Sequence, residues 1–197
     1  MGTIMADITM SLDGFVTGPD PDLEHGLGRG GEPLHNWVFA GDDPLDADVL
    51  TESTAGTGAV VMGRRTFDIV DGPHGWSEDM GYAPGHQSFR PPVFVVTHAA
   101  PPTVRLASQF SFVTDGLEAA VRRAQAAADG KNVAIMGGGE VVRQAVRQRL
   151  ADELRIHLAP VLLGSGTRLF DGGELLELVQ TRVQVSSHAT HLSYRLG

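Results

Sequence analysis

Twice in this chain an uninterrupted apolar run ends in glycine and passes at once into a helix-like pattern. The first is Ala59-Val60-Val61-Met62, followed by Gly63-Arg64-Arg65-Thr66-Phe67. The second is Val133-Ala134-Ile135-Met136, followed by Gly137-Gly138-Gly139-Glu140 and then by apolar positions Val142, Ala145, Val146 and Leu150. A strand this continuously apolar is buried on both faces, the condition of a parallel sheet covered by helices. Glycine between strand and helix lets the backbone approach a neighbour closely, with the helix N-terminus facing it. Two such units commit the chain to an α/β architecture.

The remaining segments fit the same alternation. IMADITMS (4–11) reads as a first strand with Asp7 as its one charge, and 12–16 as a turn and short return. Residues 18–36 read as a long loop, of the length that often forms a lid and otherwise is a surface excursion. Trp37 and Phe39 stand where it rejoins the body. A short helix is expected over 46–55, with Asp46, Asp48 and Glu52 suiting a solvated face. A second long loop, 71–92, holds His74, Trp76, Tyr82 and His86. Strands follow at 93–96, ending in Thr97-His98, and at 110–113. A helix over 117–128 stops at Asp129-Gly130. In 153–160, Leu154, Ile156 and Leu158 alternate with Arg155, His157 and Ala159, and 182–187 with 190–196 suggest a terminal antiparallel pair. The pattern predicts one domain, 1–197, with a single, mainly parallel twisted sheet flanked by helices and antiparallel C-terminal strands.

Bulk chemistry narrows the function. A net charge of −9 argues against nucleic acid or an anionic membrane as the main partner. With no cysteine there is no disulfide, thiolate metal site or cysteine nucleophile. The eight histidines are scattered without ligand spacing, so no metal is expected. No apolar run reaches the roughly 18 residues of a membrane span, and the N-terminus has no leader pattern, so a cytoplasmic protein is expected.

In open α/β sheets ligands bind at the carboxyl ends of the strands. Three such ends are chemically loaded here: Gly63-Arg64-Arg65-Thr66, Thr97-His98 and Gly137-Gly138-Gly139-Glu140. Brought together, they would offer glycine backbone to a pyrophosphate, and arginines and a hydroxyl to a further phosphate. Singly, each has a plain reading as a tight turn or as exposed arginines.

The order SLDG, VVMGRRTF, VFVVTH, VAIMGGGE and DELRIHLAPVLLGSGTRLF resembles the dihydrofolate reductase superfamily, and within it the branch that includes the reductase domain of riboflavin biosynthesis. The resemblance implies an NADPH-dependent reductase passing hydride to a small planar heterocycle: a pterin, a pyrimidine or a relative. It assigns phosphates to Gly63, Arg64, Arg65 and Thr66, and the 2′-phosphate side to Thr97 and His98. Met136, Gly137, Gly138, Gly139 and Glu140 would hold the pyrophosphate and nicotinamide, flanked by Thr9 and Val16. Asp46 or Asp48 would serve as the catalytic acid, with Asp13 and His157 as other proton-donor candidates. Trp37 and His157 would meet the substrate. Two positions depart from the family patterns: no Pro-Trp pair precedes Asp46 and Asp48, and Asp7 stands where the riboflavin branch has a lysine. A different class of function, a nucleotide- or ligand-binding protein that keeps the fold without the reaction, fits those departures. A homodimer through the apolar terminal pair is expected under either reading.

Overall fold

In the computed structural model the described residues are 2–77, 81–82 and 90–197. Part of the second long loop, with its His86, lies outside them. The strands are β1 (Ile4–Ser11), β2 (Phe15–Thr17), β3 (Thr57–Gly63), β4 (Val93–Val96), β5 (Phe110–Val113), β6 (Asn132–Met136), β7 (Glu153–Ala159), β8 (Thr167–Arg168), β9 (Leu178–Val185) and β10 (Thr190–Leu196). The helices are α1 (Asn36–Phe39), α2 (Pro44–Gly56), α3 (Arg64–Val70), α4 (Leu117–Ala127) and α5 (Gly139–Arg147). Eight strands form one sheet in the order β5-β4-β3-β6-β1-β7-β10-β9, and β2 with β8 forms a small second ribbon. Pairing is parallel from β5 to β7, and β10 runs antiparallel to both its neighbours. This is the expected α/β layout with antiparallel C-terminal strands. No helix among the described residues is long and apolar enough to cross a membrane.

The apolar runs do what continuous runs should. Val61 and Ile135 bury one face of the sheet against Ala120, Val121 and Ala124 of α4 and Val142 and Ala145 of α5. Val60, Met62 and Ala134 bury the other face against Phe67 and Val70 of α3. Both faces are dry because helices lie on both.

Several boundaries differ from the sequence expectation. The first long loop holds a 3-10 turn, Glu32–His35, and α1. It is laced to itself by Gly18 N–H to Leu27 O (2.7 Å) and Arg29 N–H to Pro19 O (2.9 Å). Pro44 at the first helical position starts α2 two residues early, capped by Asp43, which accepts from Leu45 N–H. α5 starts at Gly139 and stops at Arg147. β9 begins four residues earlier than expected.

One row of the register matters for function. Thr9 on β1 lies beside His157 on β7, and His157 lies beside His191 on β10. Asp7, two residues before Thr9, shares its face. α2 covers this part of the sheet although its own buried residues are only Asp46 and Thr54.

Candidate active site

β3 lies between β4 and β6 in the sheet, so the three loaded strand ends are neighbours. They open into one cavity of about 1460 Å³, lined by Gly63–Thr66, Thr97, His98 and 136–140, with Thr9, Val16 and Trp37 across from them. Every residue expected to hold a cofactor is therefore in a single lining. The first long loop forms another wall through Leu23, His25 and Leu27.

Glycine is required at these turns by close approach. Gly137 (φ +61°) and Gly138 (φ +73°) are left-handed, and a Cβ on Gly137 would lie 2.8 Å from Thr66 Cγ2. A Cβ on Gly63 would meet Val141 Cγ2 at 2.7 Å, and one on Gly139 would meet Val16 Cγ2 at 2.9 Å. The glycines thus let the β3–α3 turn, the β6–α5 turn and β2 press together around the cavity. No side chain caps either α3 or α5 at its N-terminus.

The basic groups differ in freedom. Arg64 donates to Asp68 Oδ1 (2.7 Å) and to the Ala99 carbonyl (3.0 Å), which also accepts from Thr97 Oγ1 (2.8 Å). Arg65 is exposed at the cavity and has no bonded partner among the described residues. Arg143, missed in the sequence reading, also lines the cavity, with its guanidinium paired to Glu140 and to Asp171 (2.8 Å). Hydrogen bonds from Gln144 and then Arg143 hold the Glu140 carboxyl below its ordinary value.

Beside Thr9 the register row becomes a chain of hydrogen bonds. Asp7 Oδ1 bonds His157 Nε2 (3.0 Å), His157 Nδ1 bonds His191 Nδ1 (2.7 Å), and His191 Nε2 bonds Asp46 Oδ1 (2.8 Å). Trp37 stacks on His157 with ring centroids 4.0 Å apart and donates from Nε1 to Thr9 Oγ1 (2.9 Å). Burial pushes the Asp7 carboxyl up, but His157, Arg155 and His191 outweigh it and leave it below its ordinary value. Burial, then the facing His157, lowers His191. The same two causes push His35, on the cavity wall, down to about 4.

Three of the expected site residues lie off the cavity lining. Asp48 is exposed on α2 and outside the cavity lining. Asp46 is buried and also outside it, because its carboxyl turns to His191. His157 is saturated by Asp7 and His191 beneath Trp37 and does not line the cavity. Of this chain only Asp7 reaches the cavity. Asp13 is a turn anchor: it accepts from Ser11 Oγ (2.6 Å), Leu163 N–H (3.1 Å) and Gly164 N–H (2.7 Å). Trp37 is buried and Phe39 is 69% exposed, and both line the cavity. Among the described residues no group of three or more histidine, aspartate or glutamate side chains could hold a metal.

Residues 2–192 match the RibD C-terminal domain family. The chain belongs to that family. It is 22% identical over 175 residues to the uncharacterized protein YyaP of Bacillus subtilis (strain 168), covering 85% of this chain and 79% of YyaP. Its fold is similar to that of a candidate riboflavin biosynthesis protein from Shewanella sp. PV-4, with a TM-score of 0.71, 22% identity and 99% of both chains covered. It is also similar to the diaminohydroxyphosphoribosylaminopyrimidine deaminase/5-amino-6-(5-phosphoribosylamino)uracil reductase of Thermotoga maritima. There the TM-score is 0.62 at 15% identity, over all of this chain and 57% of that one. The RibD C-terminal domain has the dihydrofolate reductase-like fold that the sequence motifs resemble.

Proposed function

We propose that the protein is an NADPH-dependent reductase that transfers a hydride to a small planar heterocycle. The observation that carries this reading is the joint lining: thirteen residues from β1, β2 and three neighbouring strand-to-helix or strand-to-loop turns meet in one cavity. The donors present suit a dinucleotide. Left-handed glycines and uncapped helix starts fit a pyrophosphate. Arg64, Arg65, Thr97 and His98 fit the extra ribose phosphate that separates NADPH from NADH. Thr9, Val16 and Gly139 would flank the nicotinamide, which when bound supplies the hydride. The heterocycle would lie over Asp7 beside Trp37 and His35, where an acidic group replaces the family's lysine and disfavours a phosphorylated substrate. Two copies would associate through β9.

Arg65→Ala tests the cofactor, since that side chain has no structural partner among the described residues. Titration of NADPH and NADH by nicotinamide fluorescence should show tighter NADPH binding to the wild type. The substitution should weaken NADPH by about ten- to a hundredfold, the worth of one charge-assisted bond, and leave NADH nearly unchanged. No binding of either nucleotide would leave a fold that has lost the reaction.

A further inference from the structure

We propose that Asp7, His157, His191 and Asp46 are one proton-transfer unit whose outlet into the cavity is Asp7. Four groups are joined by three hydrogen bonds, and every atom in those bonds is one that can either hold or accept a proton. One proton per bond means three in all. Two neutral imidazoles and two carboxylates would bring only two, so the set carries one extra proton and a net charge of −1 wherever the protons lie. In one limiting arrangement Asp46 donates to His191 Nε2, His191 Nδ1–H donates to His157 Nδ1, and His157 Nε2–H donates to Asp7. Moving each proton across its own bond reverses all three donors and leaves a hydroxyl on Asp7. A proton equivalent has then passed from α2 to β1 with no rotation of a ring.

The surroundings confine that movement to the chain. His157 is covered by Trp37, and His191 meets the edge of the same indole. Asp46 Oδ2 is buried with no bond partner among the described residues, so this carboxyl communicates only through Oδ1 and His191. Among the described residues, the other charged or titratable groups acting on the unit are Arg155 with its partner Glu153, Tyr82, His35 and, at the Asp46 end, His188. Asp7 is the terminal acid and would be the catalytic residue; the other three are positioning residues that load it.

The chemical step rests on the reductase reading. Once hydride has reached the carbon of a C=N bond, the displaced π pair on nitrogen takes the Asp7 proton. The substrate gains C–H and N–H, the nicotinamide is left oxidised, and the chain is short of one proton. A depleted chain sets two acceptor atoms against each other in one of its short bonds, so it reclaims a proton from water through Asp7 when the cavity empties.

The test follows the full chain by NMR, with nitrogen-15 in the histidines and carbon-13 in the aspartates, between about pH 2 and 8, a range that includes the lowered Asp7 carboxyl as well as the histidines. In the wild type the His157 and His191 Nδ1 signals should lie between the positions of bare and protonated ring nitrogen, because the two share one proton. Asp46→Asn, at the far end, should fix both rings in single tautomers and move the Asp7 midpoint by about one pH unit or more. His191→Gln should do the same to Asp7 and His157, and Asp48→Asn, on the exposed side of α2, should do neither. Ring nitrogens fixed in the wild type, or an Asp7 midpoint that ignores both Asp46→Asn and His191→Gln, would overturn the unit. NADPH titrated into the same samples separates the two readings: a coupled chain without nucleotide binding overturns the reductase and leaves the proton-transfer unit standing.

Discussion

At the residue scale, the glycines and the buried polar chain were legible to different degrees. The triplet Gly137-Gly138-Gly139 announced a close approach, and the structure shows what approaches: Thr66 and Val16, which brace the cavity from the protein side. Gly137→Ala would combine a left-handed backbone with a Cβ 2.8 Å from Thr66 Cγ2. Denaturant unfolding should show a loss of about 1–3 kcal/mol, and an unchanged midpoint would mean that the turn relaxes freely. Thr9→Val is expected to cost a similar ~1–3 kcal/mol, since it strips the acceptor from a buried indole N–H. Asp7 was visible as the one charge in a core strand, and Asp46 and His157 as candidates. Their connection was not visible, because it runs through His191, whose place beside His157 depends on a pairing between strands 34 residues apart.

At the element scale, α2 shows why its role escaped a hydrophobic-pattern reading. It is held to the sheet by polar ties rather than an apolar stripe. Besides Asp46–His191, Glu52 pairs with Arg182 (2.8 Å), Asp42 with His188 (2.6 Å), and Asp43 accepts from the Ser187 N–H and hydroxyl (2.8 Å each). An acidic helix of this kind looks solvated in sequence, and only the partners on β9, β10 and their turn reveal a docked face. The ties have a pH signature. The backbone and hydroxyl of Ser187 and the N–H of Leu45 hold the Asp43 carboxyl down to about 2, and Ser11 with Gly164 and Leu163 does the same for Asp13. Both carboxyls are depressed from an ordinary value near 3.8, so the fold favours their ionised forms. Their contribution is complete above that value and fades as pH falls toward about 2. Thermal unfolding midpoints of the wild type should drop through this window, and Asp13→Asn with Asp43→Asn should flatten the drop. Parallel slopes in the two proteins would show that these anchors carry no pH-dependent stability.

At the scale of the whole molecule, the α/β class and the antiparallel terminus could be read from local patterns, while the strand order could not. Parallel neighbours such as β3 and β6 are joined by no tight turn, so nothing local marks them as partners. The order also leaves two unlike edges. β5 is four residues long, with Phe110 and Val113 buried. β9 is eight residues long and exposes Val179, Val183 and Val185. Its one charge, Arg182, is tied to Glu52, so it guards the edge weakly against pairing. A second copy in isologous contact is the occupant that would both pair the edge and cover the valines. Light scattering should therefore report twice the 20.9 kDa of one chain. Val183→Lys should return the single-chain mass with little change in unfolding, because an exposed edge position tolerates a charge that a buried interface does not. A wild type that stays at 20.9 kDa as concentration rises would remove the dimer, without touching the cavity or the proton-transfer unit, since neither draws a residue from a partner.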